Sequence, residues 1–173
     1  DILINNARYK NKFQIEEPEH EWEKAIKISL SAPFFLSQKF IKQSKKGGVI
    51  INICSPAAFL ATAESPSYHA AKGGLLSLTK YLSVLAGEKR IRVNAISPGF
   101  IVQNKHLSKF NSRENKDYRN LCEFYQPMGK VGTEEDVGEL VSFLCSNRSK
   151  YLSGACIDLD GAATNQEQFS LIK

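Results

Sequence analysis

Gly48-Val-Ile-Ile-Asn-Ile-Cys-Ser55 is a run of branched apolar residues that follows a second glycine, Gly47, and closes at Pro56. A run apolar at nearly every position reads as a strand buried on both faces. Three other runs share this character. Ile2-Leu-Ile4 ends at Asn5-Asn6, Ile91-Arg-Val-Asn-Ala-Ile96 leads into Ser97-Pro98-Gly99, and Ala155-Cys-Ile-Asp-Leu159 ends at a turn, Asp160-Gly161. Longer amphipathic stretches lie between them. Glu19 to Lys45 reads as a helix, with acidic residues first, lysines last, and Trp22, Ile26, Leu30 and Phe34 at a spacing of four. Pro33 inside it predicts a kink nearby. A second helix is predicted over Pro66 to Ala86, with Ser65 as its cap, Pro66 in its first turn and Gly87 as its stop. Thr133-Glu-Glu-Asp136 has the capping-box pattern and opens a third, running to about Cys145. Apolar strands alternating with helices imply a parallel sheet covered on both faces, so the expected fold class is α/β.

Composition bounds the function. The 173 residues fit a single domain, 1–173, large enough for a core of its own. With 42% apolar and 24% charged residues the balance is that of an ordinary globular protein. No apolar run is long enough to span a membrane, and residues Asp1 to Arg8 do not read as a secretory signal. Cys54, Cys122, Cys145 and Cys156 lack metal-ligand spacing; no metal is expected, and the thiols read as reduced, in a cytoplasmic protein. The net charge of +5 is scattered rather than gathered into a stripe, which argues against a nucleic-acid partner. None of the glycines precedes Gly47, and no three form G-x-G-x-x-G, so these residues hold no glycine-rich phosphate cradle. The stretch from Val102 to about Gly129 is polar and aromatic, with room for short helices, and the residues after Gly161 read as a polar tail.

Tyr68-His-Ala-Ala-Lys72 carries the clearest chemistry. The i, i+4 spacing places Tyr68 and Lys72 one turn apart on one helix face. A free phenol titrates near pH 10, and an adjacent ammonium favours the phenolate. Such a pair can pass a proton to or from an alcohol or carbonyl oxygen. Ser55 lies just past the end of a buried strand, where open α/β sheets bind ligands, and can donate a hydrogen bond to a substrate oxygen. Asn5-Asn6-Ala7 and Ser97-Pro98-Gly99 follow strands at the same end of the sheet, so three loops converge on one rim. The plain alternatives are a chance helix spacing for Tyr68 and Lys72 and an ordinary loop start for Ser55.

Taken together, the chain resembles the short-chain dehydrogenase/reductase family, in its 3-oxoacyl-carrier-protein-reductase-like branch. The stretches that carry the resemblance are Asp1-Ile-Leu-Ile-Asn-Asn-Ala7, Gly48–Ser55, Ser67-Tyr-His-Ala-Ala-Lys-Gly73, Ile91–Gly99, Gly129–Val137, Tyr151-Leu-Ser-Gly154 and Asp158-Leu-Asp-Gly161. The resemblance implies a Rossmann-like doubly wound parallel sheet. These residues correspond to its C-terminal part, without the N-terminal strands and the glycine-rich loop; roughly 75–90 residues of the family chain are not represented. It implies Tyr68 as proton donor and acceptor, Lys72 as the group that holds the nicotinamide ribose and lowers the tyrosine pKa, and Ser55 as the polariser of the carbonyl. Asn5 and Ala7 match the turn under the adenosine half of NAD or NADP, and Pro98, Gly99 and Ile101 match the nicotinamide end. Ser29 stands where the family has an asparagine that holds a relay water, Arg8 where it has a turn glycine, and Gln103 where a threonine is common. The implied reaction is hydride transfer with a small carbonyl or alcohol substrate, whose identity is set largely within a variable region, here 103–128. A homodimer or homotetramer is implied through the two long helices. A catalytically silent relative acting through that same oligomer surface is the competing expectation.

Overall fold

The computed structural model describes residues 1–167; the last six residues of the predicted polar tail lie outside the described residues. The strands are β1 (Ile2–Asn5), β2 (Gly48–Ile53), β3 (Ile91–Pro98), β4 (Ile101–Val102), β5 (Gly132–Thr133) and β6 (Cys156–Leu159). The helices are α1 (Glu19–Ile26), α2 (Ala32–Gln43), α3 (Pro66–Leu85), α4 (Asn104–Phe110), α5 (Lys116–Phe124) and α6 (Glu134–Cys145). Strands β1-β2-β3-β6 form one parallel sheet in that order, with Ile4 opposite Ile51, Ile51 opposite Asn94 and Ile96 opposite Ile157. The α/β class read from the sequence is the class observed.

Each face of the sheet has its own core. On one, Ile50, Leu82, Ala86, Ile91 and Val93 pack with Leu3, Phe40 and Leu78, so α2 and α3 cover β1 to β3. On the other, Val49, Ile51, Ile96 and Leu144 pack with Leu140, Val141 and Ile157 under α6. Leu144 is fully buried; truncating such a leucine to alanine costs about 2–5 kcal/mol. The expectation of a sheet covered on both faces fails at β1. Leu3 packs inward, but Ile2 is 55% and Ile4 46% exposed. Helix α6 lies over the far part of the sheet, and among the described residues nothing covers these two isoleucines.

The predicted helix 19–45 ends at Gln43 and contains a wide π turn, Lys27–Ser31, in which the Ala32 N–H reaches Lys27 O. Pro33 supplies the reason: it has no N–H for the carbonyl of Ser29, and its ring crowds that carbonyl, so the turn before it opens. Helix α3 begins as read, with the Ser65 hydroxyl accepting from the Tyr68 N–H at 3.4 Å. It ends where the reading put it, at Leu85 with Ala86 as the cap and Gly87 next. The turn Gly87–Lys89 follows, and the left-handed residue is Arg90 (φ 56°) rather than Gly87. Strand β3 continues through Ser97 and Pro98, which pair with Asp158 and Leu159. Pro98 is tolerated there because β2 has already ended opposite Ile96, leaving β3 only one neighbour to satisfy. The capping box at Thr133 and Asp136 forms as the spacing predicts.

Candidate active site

Parallel strands deliver their C-terminal ends to one rim, and the predicted site residues follow those ends. Ser55 is two residues past β2, Pro98 ends β3, and Asp160 follows β6. A cleft of about 1440 Å³ opens at this rim and is lined by Ser55, Tyr68, Lys72, Pro98, Gly99 and Ile101 among others. Helix α3 presents Tyr68 and Lys72 from its first two turns, and Ser67, immediately before Tyr68, is pinned from outside. The Glu17 carboxylate accepts from the Ser67 N–H at 2.9 Å and from its hydroxyl at 2.5 Å, and also from the Asn11 amide at 2.6 Å. These bonds hold the Glu17 carboxyl below its ordinary range despite the opposing effect of desolvation.

Tyr68 is 6% and Lys72 2% exposed. The Lys72 ammonium lies 5.5 Å from the Tyr68 ring centre and donates to Ile53 O at 2.6 Å. Burial pushes the Lys72 pKa down to about 8, with a small opposing pull from the Cys54 thiol and a small added push from the positive charge of Arg8. An ammonium has three protons to donate, and among the described residues only this one bond is made. The Ser55 hydroxyl accepts from the Ala57 N–H at 3.3 Å, which leaves its own proton available. The rim therefore joins two hydroxyls and a cation, the groups needed to polarise and protonate a carbonyl oxygen.

Other predicted residues have different surroundings. The Asn5 side chain turns inward. It donates to Asn52 Oδ1 at 2.8 Å and to Ser37 Oγ at 3.3 Å, while Asn52 donates to Thr79 at 2.9 Å. This buried network joins β1 and β2 to α2 and α3. Ala7 is exposed beside it and does not line the cleft. Ser29 is buried in the π turn, away from the cleft wall, and its hydroxyl accepts from the Tyr9 N–H at 3.0 Å. Gly99 has a structural reason for lacking a side chain: a Cβ there would lie 2.6 Å from Asp160 Cβ and 2.8 Å from its Cα. Gln103 lines the cleft from the start of α4.

Arg8 is the residue whose place the sequence did not foretell. Its Nη1 lies 3.4 Å from the Tyr68 hydroxyl and 3.4 Å from Glu64 Oε1, with the guanidinium 5.5 Å from the Tyr68 ring centre. The signal was present in the sequence, as a charged side chain at a turn beside the site, but the 60 residues separating it from Tyr68 hid the contact. Among the described residues no cluster of three or more potential metal ligands exists, and no helix is long and apolar enough to cross a membrane.

Comparison with known proteins places this geometry. A family profile described as enoyl-(acyl carrier protein) reductase matches residues 1–164. The 3-oxoacyl-[acyl-carrier-protein] reductase of Buchnera aphidicola subsp. Schizaphis graminum is 34% identical over 166 residues, covering 93% of this chain and 65% of that protein. A structure of a 4-hydroxyisoleucine dehydrogenase mutant complexed with NADH and succinate superposes with a TM-score of 0.86 at 30% identity, over 97% of this chain and 70% of the other. A structure from Agrobacterium tumefaciens with bound NADP gives 0.84 at 33% identity, over 96% and 68%. The chain spans about 65% of the length of the curated relatives it matches.

Proposed function

Because the chain belongs to the short-chain dehydrogenase/reductase family, we propose that it carries the catalytic part of an NAD- or NADP-dependent oxidoreductase acting on a carbonyl/alcohol pair. One observation carries the reading: Ser55, Tyr68 and Lys72, drawn from β2 and α3, line a single cleft at the C-terminal rim of a parallel sheet.

The residues fit the nicotinamide end of such a cofactor by their donor set. Lys72 offers a buried ammonium with protons to spare, 5.5 Å from the centre of the Tyr68 ring, a pair suited to a ribose diol, and Pro98, Gly99 and Ile101 form the adjoining wall. A bound nicotinamide supplies or accepts the hydride. Ser55 donates its free hydroxyl proton to the carbonyl oxygen. Tyr68 delivers a proton to that same oxygen during reduction and takes it back during oxidation. Lys72 holds positive charge beside the phenol while its own charge is fixed by Ile53 O. Asn5 braces the rim through Asn52 and Ser37, Ala7 lies in the turn that would pass under the adenosine half of the cofactor, and the Ser29 hydroxyl accepts from the Tyr9 N–H. Residues 103–128, which form α4 and α5 over the cleft, select the substrate.

The relatives with NADH and NADP support either cofactor. The four cysteines are free thiols, in keeping with a cytoplasmic setting. A homodimer or homotetramer is supported by apolar residues left exposed on two long helices, Phe35 and Leu36 on α2 and Tyr81, Val84 and Leu85 on α3. Sedimentation at micromolar concentration tests this, with a dimer or larger expected and a monomer opposing it. The activity itself is tested by incubating the full-length protein with NADH or NADPH and a panel of aldehydes, ketones and oxo acids. Oxidation of the cofactor with at least one carbonyl compound is expected; binding of the cofactor with no turnover of any would favour the silent relative.

A further inference from the structure

Arg8 is unlike the other residues at the reacting end of the cleft. Its guanidinium reaches the hydroxyl of the catalytic Tyr68 and is held only loosely, both of its bonds being 3.4 Å long and both made by Nη1. A guanidinium has five N–H groups in a rigid fork. Among the described residues Nε and Nη2 make no hydrogen bond, and the side chain is 41% exposed on the cleft wall. The surroundings favour an anion. Lys10 and Lys109 line the same cleft, while of the three carboxylates there Asp160 is consumed by Ala162 and Thr164, Glu64 is the one Arg8 already holds, and Glu134 belongs to the first turn of α6.

A carbonyl oxygen bound at Tyr68 and Ser55 therefore lies beside a fork shaped for a carboxylate. We infer that Arg8 is a specificity-determining residue, and that the substrate is an oxo acid whose carboxylate lies one or two carbons from the reacting carbonyl. This rests on the oxidoreductase reading above. In the reduction the hydride goes to the carbonyl carbon and the Tyr68 proton to its oxygen; the carbon–oxygen double bond becomes a hydroxyl, the dinucleotide is oxidised, and the carboxylate is unchanged in the grip of Arg8. Glu64 holds the guanidinium toward the cleft until the substrate carboxylate takes over the unused edge of the fork.

The test compares free acids with their neutral esters in the full-length protein: acetoacetate against methyl acetoacetate, and pyruvate against methyl pyruvate. The acid is expected to be preferred in kcat/KM by roughly a hundredfold, the scale of charge-assisted hydrogen bonds to a partly exposed guanidinium. Arg8→Met should collapse that ratio to within about tenfold, and Arg8→Lys, which keeps the charge but loses the fork, should recover part of it. Calorimetric titration of acetoacetate into Tyr68→Phe protein, with and without Arg8→Met, reads binding apart from turnover. Esters used as well as acids, or a ratio unmoved by Arg8→Met, would overturn the inference and leave the oxidoreductase reading standing. An unmoved ratio together with weakened NADH or NADPH binding would assign the guanidinium to a cofactor phosphate instead, and would also overturn it. Arg8-dependent binding of acetoacetate without turnover of any carbonyl compound would sustain anion recognition and sink the oxidoreductase reading. No Arg8-dependent binding and no turnover would remove both.

Discussion

The two walls of the cleft are built differently. The first is α3 on the sheet: Tyr68, Ala71, Lys72, Leu75, Thr79 and Leu82 are all buried, and the helix packs on β3 and reaches β2 through Thr79 at Asn52 and Leu82 at Ile50. The second is α4 and α5, where Phe110 is the one buried residue and α5 has none. Aromatic rings hold it, Phe110 edge-on to Tyr118 at 6.3 Å and tilted against Phe100 at 6.4 Å. Tyr118 is 53% and Met128 65% exposed. A wall fixed by a packed core can hold reacting groups to a fraction of an ångström, which proton transfer requires. A wall with few buried contacts can be changed, or can move, without loss of the core. On the proposed reading the chemistry sits on the first wall and the second joins Arg8 in selecting the substrate, so substitutions on the two walls should differ in kind.

The largest difference is expected at Tyr68. Replacing it by phenylalanine removes only the hydroxyl, so turnover in the full-length protein should fall by about 10²–10⁴-fold with the fold and cofactor affinity kept. Turnover within a few-fold of the parent would detach the first wall from the chemistry. Next is Lys72, whose folded pKa of about 8 lies below its ordinary 10.5. Below pH 8 both folded and unfolded chains hold this proton, and burying the charge costs stability. Between pH 8 and 10.5 the unfolded chain binds the proton more than the folded one does, so stability rises with pH by about 3 kcal/mol in total from this group. Denaturant titrations across that window check it, and Lys72→Met should flatten the rise; an identical slope in the variant would contradict the burial. Ser55→Ala should cost roughly a hundredfold in kcat, as for one lost donor to a developing oxyanion. The smallest effect belongs to the second wall. Tyr118→Ala should change stability by under about 1 kcal/mol and alter KM between substrates more than kcat. A collapse of kcat there would erase the contrast between the walls.

The first wall was also the legible one. Strand ends are punctuated by Ser55-Pro56, Ser97-Pro98 and Asp160-Gly161, and a parallel sheet brings such ends together by its topology alone, so the sequence was enough to gather Ser55, Tyr68 and Lys72 at one rim. Helix spacing did the rest for the last two. Contacts between distant turns were not legible. Nothing local says that Arg8 reaches Tyr68, that Glu17 caps the residue before it, or that Tyr9 closes on Ser29 in a widened turn. Ile2 and Ile4 mark a similar limit: apolar character reports a preference for burial, and both side chains are about half exposed in a chain that spans about 65% of the length of its relatives. Asn5 shows the same limit, since a polar residue after a strand could turn to the rim or into the core, and the buried partners Asn52 and Ser37 decide it. The two short strands β4 and β5 join Ile101–Val102 to Gly132–Thr133, a pairing too brief for any periodicity to announce.

The central claim is that this rim transfers hydride between a nicotinamide and a carbonyl carbon. It is met most directly by giving the full-length protein NADH or NADPH deuterated at the transferable position, with a carbonyl compound it turns over, and analysing the alcohol by mass spectrometry. The account predicts deuterium at the carbinol carbon with the parent protein, and its loss with Tyr68→Phe while the cofactor still binds. An alcohol formed without that label, or labelled equally by the Tyr68→Phe protein, would contradict it.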